Sequence, residues 1–318
     1  MKIAFVGKGG SGKSTVAALF IRYLQAKARD TLAIDADINM NLSGLLGVHC
    51  PSERFLSSPE VAASIRTHLK GANSRIPDIK MFLPTTPPGP GSNVISHIHD
   101  SVIEDYALPI DAHTQLLTVG TYETSGIGQT CYHSHLFVAE NLLSHMLAEK
   151  FDVVCDMVAG TDSFAYSMYV QFDCIVLLTE PTPESVAVSK LYLNLAKSAG
   201  IETIVQVVAN KVENSEDLAF IAEHTGVSAL GTIDFMPQLK RMRQRGHAIP
   251  AQTLTNELHQ LMDRIYTLAS APRISPKQRQ VMLRRLHQRL NEKEWVKLSY
   301  GDVSNQIDQN FFLANEAP

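Results

Sequence analysis

Tryptophan occurs once in the 318 residues, and cysteine only four times, at Cys50, Cys131, Cys155 and Cys174. Cysteines this few and this scattered make no disulfide framework, so the chain reads as a protein of a reducing, cytoplasmic compartment. Missing as well is any apolar run near the roughly 18–20 residues of a membrane span. The opening residues read as a strand and carry no signal-peptide pattern. No charge of one sign dominates: 28 Lys and Arg face 32 Asp and Glu, a formal net charge of −4. That balance points to neither a dedicated nucleic-acid binder nor an acidic disordered chain. There is no internal repeat. What the chain does have is apolar content, 45% of residues, enough to bury a large core.

The apolar residues fall into a rhythm. "KIAFV" (2–6) is a short buried-strand pattern that meets "GKGGSGKST" (7–15) directly. A helix is expected from about Gly12, because Val16, Leu19, Phe20, Tyr23 and Leu24 recur on one helical face. "TLAID" (31–35) is the next strand. Further strands are expected over 151–160, 172–180, 201–211 and 229–235, with helices over 183–199 and 253–270. The pattern predicts an α/β fold with a doubly wound, mostly parallel sheet, helices on both faces and a C-terminal helical extension. Residues 1–270 read as one domain. Within it, 51–112 has little periodicity and holds the loop-forming "PTTPPGPGSN" (84–93), so it reads as an insertion on the sheet. Residues 271–318 read as a basic extension, with eight Lys and Arg against two Glu between Arg273 and Lys297.

A glycine, four free positions and Gly-Lys-Ser make a phosphate loop, and Gly7, Gly12, Lys13 and Ser14 satisfy that spacing. Successive backbone N–H groups from Gly9, Gly10, Ser11 and Gly12 through Thr15 point at one anion, at the N-terminus of a helix. Lys13 would then lie over the β- and γ-phosphates and Ser14 would place its hydroxyl on Mg²⁺. Such a site needs carboxylates at neighbouring strand ends, and Asp35, Asp37 and Asp156 stand there. Gly160 follows where backbone must approach the phosphate. Lys8, a second lysine inside the loop, is not needed for this chemistry.

"KGGSGKST", "DAD", "DMVAG" and "ANK" together resemble the MinD/ParA superfamily of P-loop ATPases, whose deviant Walker A motif is KGGxGK[ST]. The resemblance covers about residues 1–48 and 151–250. It implies that Lys8 reaches the nucleotide of a partner subunit, acting as an arginine finger does, in an ATP-bound homodimer. By the same resemblance Asp35 supports Mg²⁺ through water, Asp37 positions the attacking water and Asp156 is the Walker B-type acid. Asn210 would read adenine, with Pro237 on the base side. Lys211 is followed by Val212 and Glu213, not by the aspartate of a guanine reader, so ATP is expected.

Within the superfamily, "DMVAGTDSFAYSM" and "TEPTPESVAVSK" are similar to the CooC-type branch, accessory ATPases of carbon monoxide dehydrogenase that help insert nickel. A Cys-x-Cys pair of that branch binds one metal between two subunits. Here "GQTCYHSHLF" has Cys131, with His133 at the second cysteine's place and His135 beyond. One reading is a Ni²⁺ or Zn²⁺ site shared across a dimer interface. The other is a small buried cysteine beside histidines at a helix start. The basic tail is equally open. Leu283, Leu286 and Leu290, flanked by arginines, could pack on the domain or complete a dimer, and could equally meet a membrane or nucleic acid through residues 273–297. The expectation is an ATP-hydrolysing switch acting on an unidentified client protein, with a metalloenzyme under maturation as the first role to test. The rivals are a positioning or partition ATPase and an ATP-binding scaffold.

Overall fold

The computed structural model describes residues 1–121 and 132–313, with the side chains of residues 132–134 outside that description. β1 (Lys2–Gly7) is buried along its whole length and runs into the glycine loop, which α1 (Lys13–Ala26) leaves. β2 (Thr31–Ala36) follows, then α2 (Asn41–Leu46), α3 (Pro59–Lys70) and α4 (Ser101–Tyr106). β3 (Leu108–Pro109) and β4 (Thr114–Thr118) lead toward α5 (Tyr132–Ser144). The rest of the sheet is β5 (Asp152–Met157), β6 (Cys174–Thr179), β7 (Val205–Val212) and β8 (Gly231–Asp234). Between and after them come α6 (Pro183–Ala199), α7 (Ser215–Thr225), α8 (Pro237–Gln244) and α9 (Asn256–Ser270). α10 (Pro276–Asn291) and α11 (Glu294–Tyr300) end the helical part.

Among the described residues the eight strands lie in the order β3-β4-β2-β5-β1-β6-β7-β8. Within that sheet the two-residue β3 runs antiparallel to its neighbour, and every other pairing is parallel. Side chains alternate between the two faces, as a strand's period of two requires. Ile3 and Phe5 pack with α1 and α9, while Ala4 and Val6 pack with α3, α5 and α6. The central strands are therefore apolar on both faces, the sequence signature of a covered parallel sheet.

Two parts of the chain depart from the expectations. The 51–112 segment is not devoid of regular structure, because α3 buries Val61, Ala62, Ile65 and Leu69 along one stripe. Beyond it, Thr114–Thr118 is a full strand between β2 and β3 that the sequence pattern does not announce; "TQLLT" is too short to show a period.

The basic extension packs on the body. Ser275 and Gln278 form a reciprocal capping box at the start of α10, with Pro276 in the first turn. Arg279 pairs with Asp173, and Leu283 is buried. Val296 and Val303 close over Leu83 of the insertion. His287 spans the same junction, its Nδ1 2.9 Å from Thr85 Oγ1 and its Nε2 3.3 Å from the Val303 carbonyl. Arg284 is spent on the carbonyls of Gln309, at 2.9 Å, and Phe311. The apolar stripe thus has an internal use, while Arg285, Lys293 and Lys297 remain exposed. Among the described residues no helix is long and apolar enough to cross a membrane.

His145 and His287 are both fully enclosed, and burial pushes each imidazole down to about 4. Unfolded, they protonate near 6.5, so the stability they confer is complete above that pH and is lost as pH falls toward 4. The loss approaches about 1.4 kcal/mol per histidine per pH unit in that window. In urea titrations between pH 7 and pH 5, His287→Asn should therefore lose stability less steeply than the parent; equal slopes would remove His287 from the acid response.

Candidate nucleotide site

The glycine loop joins β1 to α1 at the C-terminal edge of the sheet, where parallel α/β folds place their ligands. Gly7, Gly10 and Gly12 hold φ values of 142°, 85° and 95°, a region that side chains resist. Gly12 has a second constraint. A Cβ there would lie 2.3 Å from Asn210 Nδ2. The loop is closed by the Ser11 N–H donating to the Lys8 carbonyl at 3.0 Å. Gly160 approaches as expected, its N–H donating to the Gly7 carbonyl at 3.0 Å.

The three acids converge on this loop. Asp35 and Asp156 are direct cross-strand neighbours in the β2–β5 pairing, although 121 residues separate them in sequence. Both are fully buried. Asp35 accepts the Leu42 N–H at 2.9 Å and the Asp37 N–H at 3.3 Å. Asp37 Oδ2 lies 3.8 Å from Lys13 Nζ, and its other oxygen accepts both nitrogens of Asn39, at 2.9 and 2.8 Å. Among the described residues Asp156 has no hydrogen bond to either carboxylate oxygen, although the Ser14 hydroxyl lies near enough to favour its charged form. Burial pushes Asp156 up to about 7. Burial, then the neighbouring Asp156 charge, pushes Asp35 well above the usual carboxylate range.

A buried carboxylate met this poorly, beside a second buried carboxylate, favours a cation as its partner. The residues present fit a hard one: two carboxylates and a serine hydroxyl are the oxygen donors that Mg²⁺ takes, with water and phosphate completing its shell. Ser14, Asp35 and Asp156 would hold it. When bound, Mg²⁺ would neutralise charge on the β- and γ-phosphates.

On the other side of the loop a cavity of about 650 Å³ opens, walled by Gly12, Thr15, Asn210, Phe235, Met236 and Arg243. Asn210 thus reaches the expected place, but its Nδ2 is donated to the Ser11 carbonyl at 2.6 Å, so it also braces the loop. Pro237 is not brought to the wall; it is the exposed first residue of α8, and Phe235 and Met236 stand there instead. Lys8 is half-exposed, whereas Lys13 is buried. Cys131 lies outside the described residues, as does the His133 side chain. His97 and His99 are exposed, and His99 pairs with Glu104 at 3.2 Å.

Two contacts lie beyond what the sequence motifs announce. Lys211, next to Asn210, has φ 61° at a bulge in β7. A non-glycine residue held there costs about 1–3 kcal/mol, so the surroundings must impose it. The bend turns Nζ onto the Gly10 carbonyl at 2.7 Å and onto Glu180 at the end of β6. Arg243 reaches Thr15 Oγ1 at 3.4 Å, and its charge acts on Asp156. The "NK" pair and the basic "LKRMRQRG" run are the signals that could have found them.

Residues 3–249 match the family model of the CobQ/CobB/MinD/ParA nucleotide binding domain. The carbon monoxide dehydrogenase accessory protein CooC of Rhodospirillum rubrum is 30% identical over 250 residues, 77% of this chain and 88% of that protein. An uncharacterized ATP-binding protein of Methanocaldococcus jannaschii is 29% identical over 241 residues, 74% of this chain and 85% of its own. Among solved structures, a ParA family ATPase from Chlorobium tepidum aligns with a TM-score of 0.55 at 16% identity, covering 83% of this chain and 97% of its own. The septum site-determining protein MinD of Pyrococcus horikoshii, complexed with Mg-ADP, aligns with a TM-score of 0.54 at 19% identity, covering 83% and 93%. These structural likenesses speak for the fold.

The loop geometry makes a prediction. Lys211→Met should weaken ATP binding about tenfold, near 1.4 kcal/mol, by freeing the outer turn of the loop. Gly12→Ala should abolish binding through its collision with Asn210. Calorimetric titration with Mg·ATP measures both; full affinity in Lys211→Met would remove the brace.

Proposed function

Because the chain belongs to the CobQ/CobB/MinD/ParA nucleotide-binding family, we propose that it is a slow Mg²⁺-dependent ATPase that dimerises around ATP and works as a nucleotide-dependent switch. The observation that carries this reading is the difference in burial between two lysines on one loop. Lys13 is buried beside Asp37, within reach of phosphate in its own subunit. Lys8 is half-exposed and so can serve a second subunit. A cation supplied across an interface would stabilise charge on the transferring phosphoryl group only in the dimer, which couples hydrolysis to assembly. Asp37, set by Asn39 at 2.9 Å, would orient the attacking water. Gly7 and Gly9–Thr15 would cradle the phosphates, with Asn210 at the base.

The role of the switch is proposed as metalloenzyme maturation, supported by the 30% identity to an accessory protein of carbon monoxide dehydrogenase. In this reading Cys131 and His133 of two subunits hold Ni²⁺ or Zn²⁺ as cargo for a client protein. Residues 1–270 form the ATPase unit and 271–318 the extension. The internal use of Leu283 and Val296 favours this role over a tail that inserts into a membrane.

The size of the protein in solution tests the central claim. ATP should produce a dimer, ADP should not, and Lys8→Ala with ATP should stay monomeric; a parent protein that remains monomeric with ATP would overturn it. Asp37→Ala should keep ATP affinity and lose turnover by about 10²-fold or more. Stoichiometric nickel or zinc in anaerobically purified dimer, lost in Cys131→Ser, supports the maturation role, and a metal-free dimer after nickel and zinc addition excludes it.

A further inference from the structure

At the end of the sheet opposite the glycine loop, the starts of β1, β5 and β6 border a cavity of about 430 Å³, flanked by α9 and α10. Its wall has donors without acceptors. Gln171 is 1% exposed and Gln280 7% exposed, and each leaves Nε2 without a hydrogen bond among the described residues. The Gln280 amide orientation is set by its Oε1, which accepts the Leu313 N–H at 3.2 Å. Arg279 gives one nitrogen to Asp173 and leaves Nη1 unmet among the same residues.

Apart from Glu149, which is exposed, the charges on the cavity wall leave one ammonium unanswered. Asp152 is occupied by Arg29 at 3.0 Å and the Met1 amino group at 3.2 Å. Asp173 is occupied by Arg279 and by the Lys2 backbone N–H at 2.6 Å. Among the described residues Lys2 Nζ, on a side chain 7% exposed, has only the Leu143 carbonyl, at 2.5 Å. Burial, reinforced by Arg279 and partly offset by Asp173, pushes this amine down to about 7. Unmet buried donors cost about 1–3 kcal/mol each, and three beside a half-neutralised lysine call for an anion. Much of the remaining wall, including Met146, Leu147, Tyr266 and Leu283, is apolar and suits a hydrocarbon body better than a phosphate.

We propose that this cavity is a binding site for a small organic carboxylate, held by Lys2, Arg279, Gln171 and Gln280, with its apolar part against α9 and α10. The site is separate from the nucleotide site and does not depend on how that site is used.

Hexanoate is the probe. Titrated into the full chain and followed by calorimetry and thermal unfolding, it should bind saturably, about tenfold or more tighter than 1-hexanol or inorganic phosphate. The double variant Gln171→Leu/Gln280→Leu should lose about tenfold in hexanoate affinity and keep Mg·ATP affinity. Removing unmet donors should leave its thermal midpoint equal or higher, which separates lost binding from lost folding. Lys2→Met serves as the second variant and should bind hexanoate no better than hexanol. Absence of saturable binding, phosphate binding as tight as hexanoate, or parental affinity in both variants would overturn the proposal. Binding that emerges only once residues 314–318 are deleted would also overturn it, assigning the cavity to the chain's own C-terminus.

Discussion

Asp35 and Asp156 lie side by side on adjacent strands, both out of water, and the rest of the molecule is arranged around that pairing. Two carboxylates in such a place repel each other and are poorly solvated, so the fold must bring positive groups to them. It does so from three directions. α1 delivers Lys13, α2 turns the Leu42 N–H onto Asp35, and α8 brings Arg243 toward Asp156. What remains uncompensated is a measure of what a cation and a polyphosphate would contribute on arrival. A cation bound between these carboxylates would stabilise the folded state in proportion to its affinity.

A second set of buried polar contacts joins the segment after Asp156 to the C-terminal extension. Glu140 on α5 accepts both the N–H, at 2.7 Å, and the hydroxyl of Ser167. Ser167 Oγ also lies 3.2 Å from the Pro84 carbonyl, and Asn141 donates to the Leu83 carbonyl at 2.7 Å. His287 then ties the adjacent Thr85 to α10. The insertion is therefore the middle layer of a three-part joint between the acidic strand end, α5 and the tail. Burial pushes Glu140 up to about 7, so near neutral pH it carries only part of its charge, and hydrogen bonds carry much of the joint.

Much of the nucleotide site is legible in the sequence because it is written locally. Gly7 to Thr15 is contiguous, and glycines spaced to take positive φ mark a backbone cradle more than a packing need. The strands β1, β2, β5, β6 and β7 are legible for a related reason: buried parallel strands are continuous apolar runs. Legibility fails where the signal is relational. Lys211 looks like an ordinary polar residue until the β7 bulge turns it onto Gly10, and bulges leave no mark in composition. Pro237 falls on the base side by motif analogy, but its fixed φ makes it a helix start, one residue beyond the wall formed by Phe235 and Met236. β4 is hidden because two leucines among three polar residues fit strand and loop alike. The internal anchoring of the tail depends on Thr85, Asp173 and Leu83, each far from α10 in sequence.

The strand order carries a consequence for how this protein comes into being. β5 is inserted between β1 and β2, so the two strands that bear the phosphate loop and the first acids never touch each other directly. A nascent chain that has finished β1, α1 and β2 has the motif in full but nothing to bridge its halves. Closure waits for residues 152–157 and for β6, which flanks β1 on its other side. Long-range parallel pairing of this kind is entropically slow to form. A fragment that ends before residue 152 thus carries an intact glycine loop on a strand whose two sheet neighbours, β5 and β6, are both missing.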